Sequence, residues 1–336
     1  MSRRSAIVAG LLVLAIVALV CTVTYFVSPR EPSYQGKTLS EWIAPFCRQT
    51  AKGLDAPGGP QHFEELEPVR QAVREMGSNG VPFLIARLNH CESGLHRTVR
   101  QLLEKQPYTA LRLTDPNVSK IRAIRALANL GPDAEPAIPN LAAQMTDATL
   151  SEHAVYALSG MSAEGWRALV GQYTNVPGPL RVEISRMIVF PGSTYRGERQ
   201  ENHANEIPAG ILIEGLSLIV NEAKKSSRIP PFQAPAIQRL GMYGPLASNA
   251  VPILMEVLDF HDSMTLQSTI IALGKIRSQP EVVVPALTNL LNDADPRIKM
   301  SAASALREFG YNVPFQPQVP RVIHPPPPAQ TKERYF

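Results

Sequence analysis

Between residues 68 and 312 apolar side chains recur three and four positions apart. Ile121, Ile124, Leu127 and Leu130 make one stripe, and Ala302, Ala305, Leu306 and Phe309 another. A period near 3.6 lays such residues on one face of an α-helix, and that face must be covered by a neighbour. The stripes come in copies. Leu240, Tyr243, Gly244, Pro245, Val251, Pro252 and Leu254 align offset for offset with Leu273, Ile276, Arg277, Ser278, Val284, Pro285 and Leu287, a shift of 33 residues; Leu306, Phe309 and Gly310 lie 33 further on. Upstream, Leu127, Leu130, Gly131, Pro132, Ile138, Pro139 and Leu141 keep the same internal spacing, Leu158 with Met161 follows 31 residues after Leu127, and Met76, Gly77, Val81, Pro82 and Leu84 form a shortened copy. Repetition at this period predicts an all-α fold, an α-solenoid of stacked helical hairpins.

Each copy reads as helix, turn, helix. Gly77, Gly131, Gly244 and Gly310 follow the last periodic residue of a first helix, where a left-handed C-cap needs no Cβ. The recurrent Val-Pro or Ile-Pro places proline in the first turn of the second helix, where a missing N–H costs nothing. Asp147, Asp259 with Asp262, and Asp293 with Asp295 and Pro296 then stop that helix and supply N-caps for the next unit. This accounts for 31 prolines in a chain that otherwise reads as helical.

The N-terminal pattern is different in kind. From Ala6 to Val27 no residue is charged, and 22 residues span about 33 Å as a helix, enough to cross a bilayer. Arg3 and Arg4 precede the run while Arg30 beyond it is offset by Glu31, which predicts a cytoplasmic N-terminus and an array in the periplasm. A cleaved signal peptide is the rival, with a lipoprotein at Cys21 a weaker one. Against the first, the run ends in Tyr25, Phe26 and Val27, which suit an interfacial belt better than a peptidase site; against the second, Val20 directly before Cys21 is a poor lipid-attachment context. Outside the cytoplasm Cys47 and Cys91 are permitted to pair, and two unpaired core cysteines remain the alternative.

Other segments interrupt the repeat. Thr38 and Glu41 have capping-box spacing, and Leu39, Trp42, Ile43 and Phe46 make the apolar face of a helix that would cover the end of the array. Residues 55–60 form a Gly/Pro loop, and residues 89–113 an extra helix with Val99, Leu102 and Leu103 apolar. Residues 191–206 insert a polar stretch between two helices of one repeat. There Tyr195, Arg196, Arg199 and His203 are the candidate partner-binding residues, since solenoid insertions fall on one face; a loop without a partner is the alternative. The tail after Val313 carries Pro325 to Pro328 and reads as extended.

Composition narrows the function classes. With 44% hydrophobic and 18% charged residues the chain has material for a core, and a net charge of +4 without a basic stripe disfavours nucleic acid. No catalytic constellation stands out. His90, Cys91 and His96 lack zinc-ligand spacing, no Gly-rich loop follows a strand, and His261 beside Asp262 sits at a helix end. No cofactor or metal is expected.

The Ala-Leu-x-x-Leu-Gly-Pro-x-Ala sense of residues 126–134, the Val-Pro starts and the Asp-x-Asp-Pro of residues 293–296 resemble HEAT repeats, especially the short-period type also found in phycobilin lyases. The segment from Tyr34 through Gly36, Lys37 and Leu39 to Trp42 resembles the juxtamembrane motif that precedes such arrays in bacterial membrane-anchored HEAT proteins. The resemblance implies protein binding on a curved helical surface and carries no common catalytic residue. The expected organisation is a signal-anchor helix in residues 1–30, a juxtamembrane cap and loop in 31–67, the solenoid in 68–312 and a Pro-rich tail in 313–336. The expected function is a noncatalytic interaction scaffold on a bacterial inner membrane, held by residues 6–27 and serving a protein partner. A bilin-lyase-type enzyme and a regulatory subunit of a membrane complex are the alternatives.

Overall fold

A computed structural model of the chain describes residues 31–47, 49–50, 53–54, 63–90, 97–98, 115–191, 207–225, 232–259 and 262–313. The chain divides into two compact units, Met1–Ala236 and Ile237–Phe336. Among the described residues no helix is long and apolar enough to cross a membrane. The apolar run of residues 6–27 lies outside them, as does the tail from residue 314.

The first unit opens with a hairpin that the helical reading did not anticipate. Strands β1 (Ser33–Tyr34) and β2 (Lys37–Thr38) pair antiparallel. Gln35 and Gly36 join them with φ of 49° and 75°, the two successive positive values that a tight primed turn requires. A second short pair, β3 (Gln49–Thr50) and β4 (Gly53–Leu54), follows later. Between them, α1 (Leu39–Ile43) starts with the expected capping box. The Thr38 amide donates to Glu41 Oε2 at 2.7 Å and the Glu41 amide to Thr38 Oγ1 at 3.4 Å. Leu39, Ile43 and Phe46 are buried.

The helices of this unit follow in hairpin order: α2 (Phe63–Met76), α3 (Val81–Leu88), α4 (Pro116–Leu130), α5 (Ile138–Gln144), α6 (Ser151–Met161), α7 (Ala163–Gln172), α8 (Gly178–Val189) and α9 (Ala209–Lys225). Pro82 and Pro139 fall in the first turns of α3 and α5, as expected. Asp115 caps α4 by accepting the Asn117 amide at 2.8 Å, a cap legible in Asp-Pro at 115–116 and overlooked there. Ile121, Ile124, Leu127 and Leu130 are all buried. Gly131 has the positive φ foreseen for it, 58°, but its ψ of −129° is not left-handed helix. It is the opening conformation of a II′-like turn, which sends the chain straight into the 3-10 segment Gly131–Ala137.

Helix α10 (Gln233–Met242) begins in the first unit and runs into the second, where α11 (Val251–Val257), α12 (Ser263–Ile276), α13 (Pro280–Leu290) and α14 (Pro296–Glu308) follow. Leu240, Leu273 and Leu306 are buried, as the 33-residue alignment requires. Asp262 and Asp295 cap α12 and α14, accepting the amides of Thr265 and Arg297, each at 2.8 Å. One expectation changes. Pro252 opens α11, but Pro285 lies inside α13, whose first-turn proline is Pro280. In this copy the 3-10 segment Gly244–Ala250 of its predecessor is replaced by a tight link, and the freed residues join the second helix. The link needs αL backbone at Arg277 (φ 49°, ψ 40°) and Gln279 (φ 52°, ψ 54°), which L side chains adopt only at a cost.

Candidate partner-binding surface

The predicted partner-binding residues Tyr195, Arg196, Arg199 and His203 lie outside the described residues. The helices on either side of them are described. Phe190, the residue directly after α8, is 48% exposed and meets Phe232 edge-on with ring centroids 6.4 Å apart. α9 begins after Ile207 and Pro208.

A polar network, buried at Tyr173 and Ser185 and partly exposed at Arg181 and Glu222, holds these two helices. The Tyr173 hydroxyl lies 2.8 Å from Ser185 Oγ, which donates to the Arg181 carbonyl at 2.8 Å. Arg181 donates to Glu222 Oε2 of α9 at 3.1 Å and to the carbonyls of Thr174 and Val176 at 3.1 and 3.0 Å. Its guanidinium stands 6.0 Å from the Tyr173 ring centre. One arginine thus ties the α7–α8 connection to α9. Burial raises the Tyr173 pKa, opposed by the hydrogen bond with Ser185, so the phenol is a neutral packing element at neutral pH. The sequence reading singled out none of these four side chains, because their partners are fixed by hairpin packing and not by spacing.

The remaining sequence candidates separate. His90 is exposed at the end of α3, while Cys91, His96 and His261 lie outside the described residues. Cys47 is buried, and because Cys91 lies outside the described residues so does its pairing with Cys47. Among the described residues no three His, Cys, Asp or Glu side chains converge on a metal position.

In the second unit, the second helices α11 and α13 present Pro252, Glu256, Val282, Pro285, Thr288 and Asn289 to solvent. Apolar and polar groups are mixed there. Such a surface offers shape and hydrogen bonds to a polypeptide.

Residues 220–307 match the family described as HEAT repeats, so the HEAT reading holds over about a quarter of the chain, from the end of α9 into α14. Among solved structures, the chain is similar to an engineered protein at 19% identity and a TM-score of 0.36, over 63% of this chain and 96% of that one. It is also similar to a designed armadillo repeat protein at 15% identity and a TM-score of 0.33, over 68% and 99%. Likenesses this distant bear on nothing further. No curated protein matches the chain.

Proposed function

We propose that this protein is a noncatalytic protein-interaction scaffold, tethered to a bacterial inner membrane by residues 6–27 and displaying its helical hairpins in the periplasm. The observation that carries the reading is the HEAT match over residues 220–307, joined to the exposed, chemically mixed faces of α11 and α13. Stacked hairpins of this class build extended surfaces suited to polypeptides. The uncharged run and the arginines before it support the tether. No specific observation favours the bilin-lyase or regulatory-subunit alternative.

Within this reading residues 195–203, which follow the exposed Phe190 in the sequence, contribute an aromatic anchor and charges in Tyr195, Arg196, Arg199 and His203. The test is chemical crosslinking in cells followed by affinity capture of the protein, with all four residues replaced by alanine in the variant. The main crosslinked partner should be lost while the melting curve stays unchanged. Capture of the same partner at the same yield would remove these residues from the interface.

A further inference from the structure

The element nearest the proposed tether is two-faced. One face of the cap is spent on the array: Leu39, Ile43, Phe46 and Cys47 are buried. Three arginines from α3 and α4 clasp it. Arg87 Nη2 donates to Ser40 Oγ at 2.6 Å, Arg122 Nε to the Cys47 carbonyl at 2.9 Å, and Arg125 Nη1 to the Phe46 carbonyl. Both carbonyls lie at the end of the 3-10 turn Ala44–Phe46, where backbone acceptors run out of helical donors and side chains can serve them.

The other face carries an aromatic cluster that the described residues leave partly exposed. Trp42 Nε1 donates to the Tyr34 carbonyl at 2.9 Å, the two rings lie 6.3 Å apart, and the Lys37 ammonium stands 4.9 Å from the Trp42 ring centre. Trp42 and Tyr34 are half-buried, while Gln35, Gly36 and Lys37 are exposed. The indole N–H is already satisfied, so Trp42 and Tyr34 offer ring surface, with the Lys37 ammonium, the exposed Glu41 carboxylate and the Tyr34 hydroxyl as the polar groups around it. That chemistry suits the boundary between acyl chains and headgroups, where Trp and Tyr rings settle and lysine stems extend outward.

Chain length sets the distance. Four peptide units separate Val27 from Glu31, so Glu31 lies at most about 14 Å from the end of the apolar run. The Leu39 amide donates to the Pro32 carbonyl at 2.9 Å, and the Ser40 amide to Glu31 Oε1 at 2.5 Å. The chain's first described residues are therefore bound to the start of α1, beside the cluster.

We infer that the Tyr34, Lys37 and Trp42 face of the cap rests on the lipid headgroup interface, and that the clasp of Arg87, Arg122 and Arg125 fixes the first hairpins to this foot. The inference builds on the tether proposed above. With the tether intact, the array leaves the bilayer at a set angle through the cap.

The full chain is reconstituted into phosphatidylcholine vesicles with a spin label at the headgroup or at mid-chain. The protein has two tryptophans, so Trp166→Phe leaves Trp42 as the reporter. Should that variant fail to fold, the difference between wild type and Trp42→Phe supplies the same signal. The headgroup label should quench Trp42 emission roughly twofold and the mid-chain label much less, as for interfacial aromatics. Flotation of the same vesicles separates the two claims. Protein that does not float contradicts the tether and the foot together. Protein that floats with Trp42 quenched by neither label, or quenched by the mid-chain label as strongly as by the headgroup label, overturns the foot alone.

Discussion

The two ends of the described array are built on opposite principles. In the second unit, neighbouring first helices meet through a repeated small-residue contact. A Cβ added at Gly241 would stand 2.9 Å from Ala272 Cα, and one added at Gly274 would stand 2.8 Å from Ala305 Cα. Beside them Gln238 Nε2 donates to Ser268 Oγ at 3.2 Å, and Gln267 Nε2 to Ser301 Oγ at 3.3 Å. The glycines and the alanines are each 33 residues apart, so the same contact is made twice. At the N-terminal cap nothing repeats. Residues 39–47 are held by apolar anchors and three separate arginine bonds. A repeat interface is specified by missing atoms, whereas a cap must satisfy whatever carbonyls its own turn leaves open. The small-residue rule also has limits in the sequence. The position 33 before Ala272 is Arg239, and the position 33 after Gly274 is Arg307. Neither side chain could enter so close a helix approach.

Substitutions at the repeated core should have the largest effect. Leu273→Ala and Leu306→Ala each remove a fully packed side chain from α12 or α14. Each should lower unfolding free energy by roughly 2 to 5 kcal/mol in urea titrations. Loss below about 1 kcal/mol at both sites would reject the 33-residue register.

The glycine contact comes next. Gly274→Ala should cost about 1 to 3 kcal/mol, because the atoms in the way belong to the Ala305 backbone and cannot rotate aside. Gly171→Ala in α7 meets nothing within 4 Å and should be neutral or stabilising by up to about 1 kcal/mol. Equal melting temperatures for the two variants would mean that the helices have room to separate.

At the cap the effect should be smaller and local. Burial keeps the Arg87 and Arg122 pKa values below the usual guanidinium range, yet both stay cationic at neutral pH. Arg122→Ala removes the bond to the Cys47 carbonyl and should cost about 1 to 3 kcal/mol. Hydrogen exchange should quicken over residues 39–47 while α12 and α14 keep their protection. Uniform acceleration along the chain would show that the cap does not move as its own element.

The smallest effect is a titration. The side chain and then the amide of Arg297 hold the Asp295 carboxyl below its ordinary pKa. A depressed folded pKa gives stability that is present above the unfolded carboxylate value and lost as pH falls through the folded one. The difference in melting temperature between wild type and Asp295→Asn should therefore be greatest near neutrality and shrink on acidification through the carboxylate range. A difference independent of pH would assign the cap to hydrogen bonding alone.

What was legible in the sequence follows the same division. Leu240, Leu273, Leu306, the positive-φ glycines and the Asp262 and Asp295 caps were readable because repetition confirms each local signal by its copies. Pro285 misled for the same reason. Its copy Pro252 starts a helix, but the shortened link at Arg277 and Gln279 lets α13 begin earlier. The β1–β2 hairpin was missed although Gln35-Gly36 is a workable turn signal, since its strands are only two residues each. The arginine clasp and the Tyr173, Ser185, Arg181 and Glu222 network join positions up to 79 residues apart, a pairing that no local pattern encodes.

The central claim is an array held outside the cytoplasm by an uncleaved apolar segment. Protease added to intact spheroplasts, with the N-terminus of the mature protein determined in parallel, tests it most directly. The account predicts that the array is digested and that the mature chain still begins at Met1. Protection of the array from the protease, or an N-terminus beyond Val27, would contradict it.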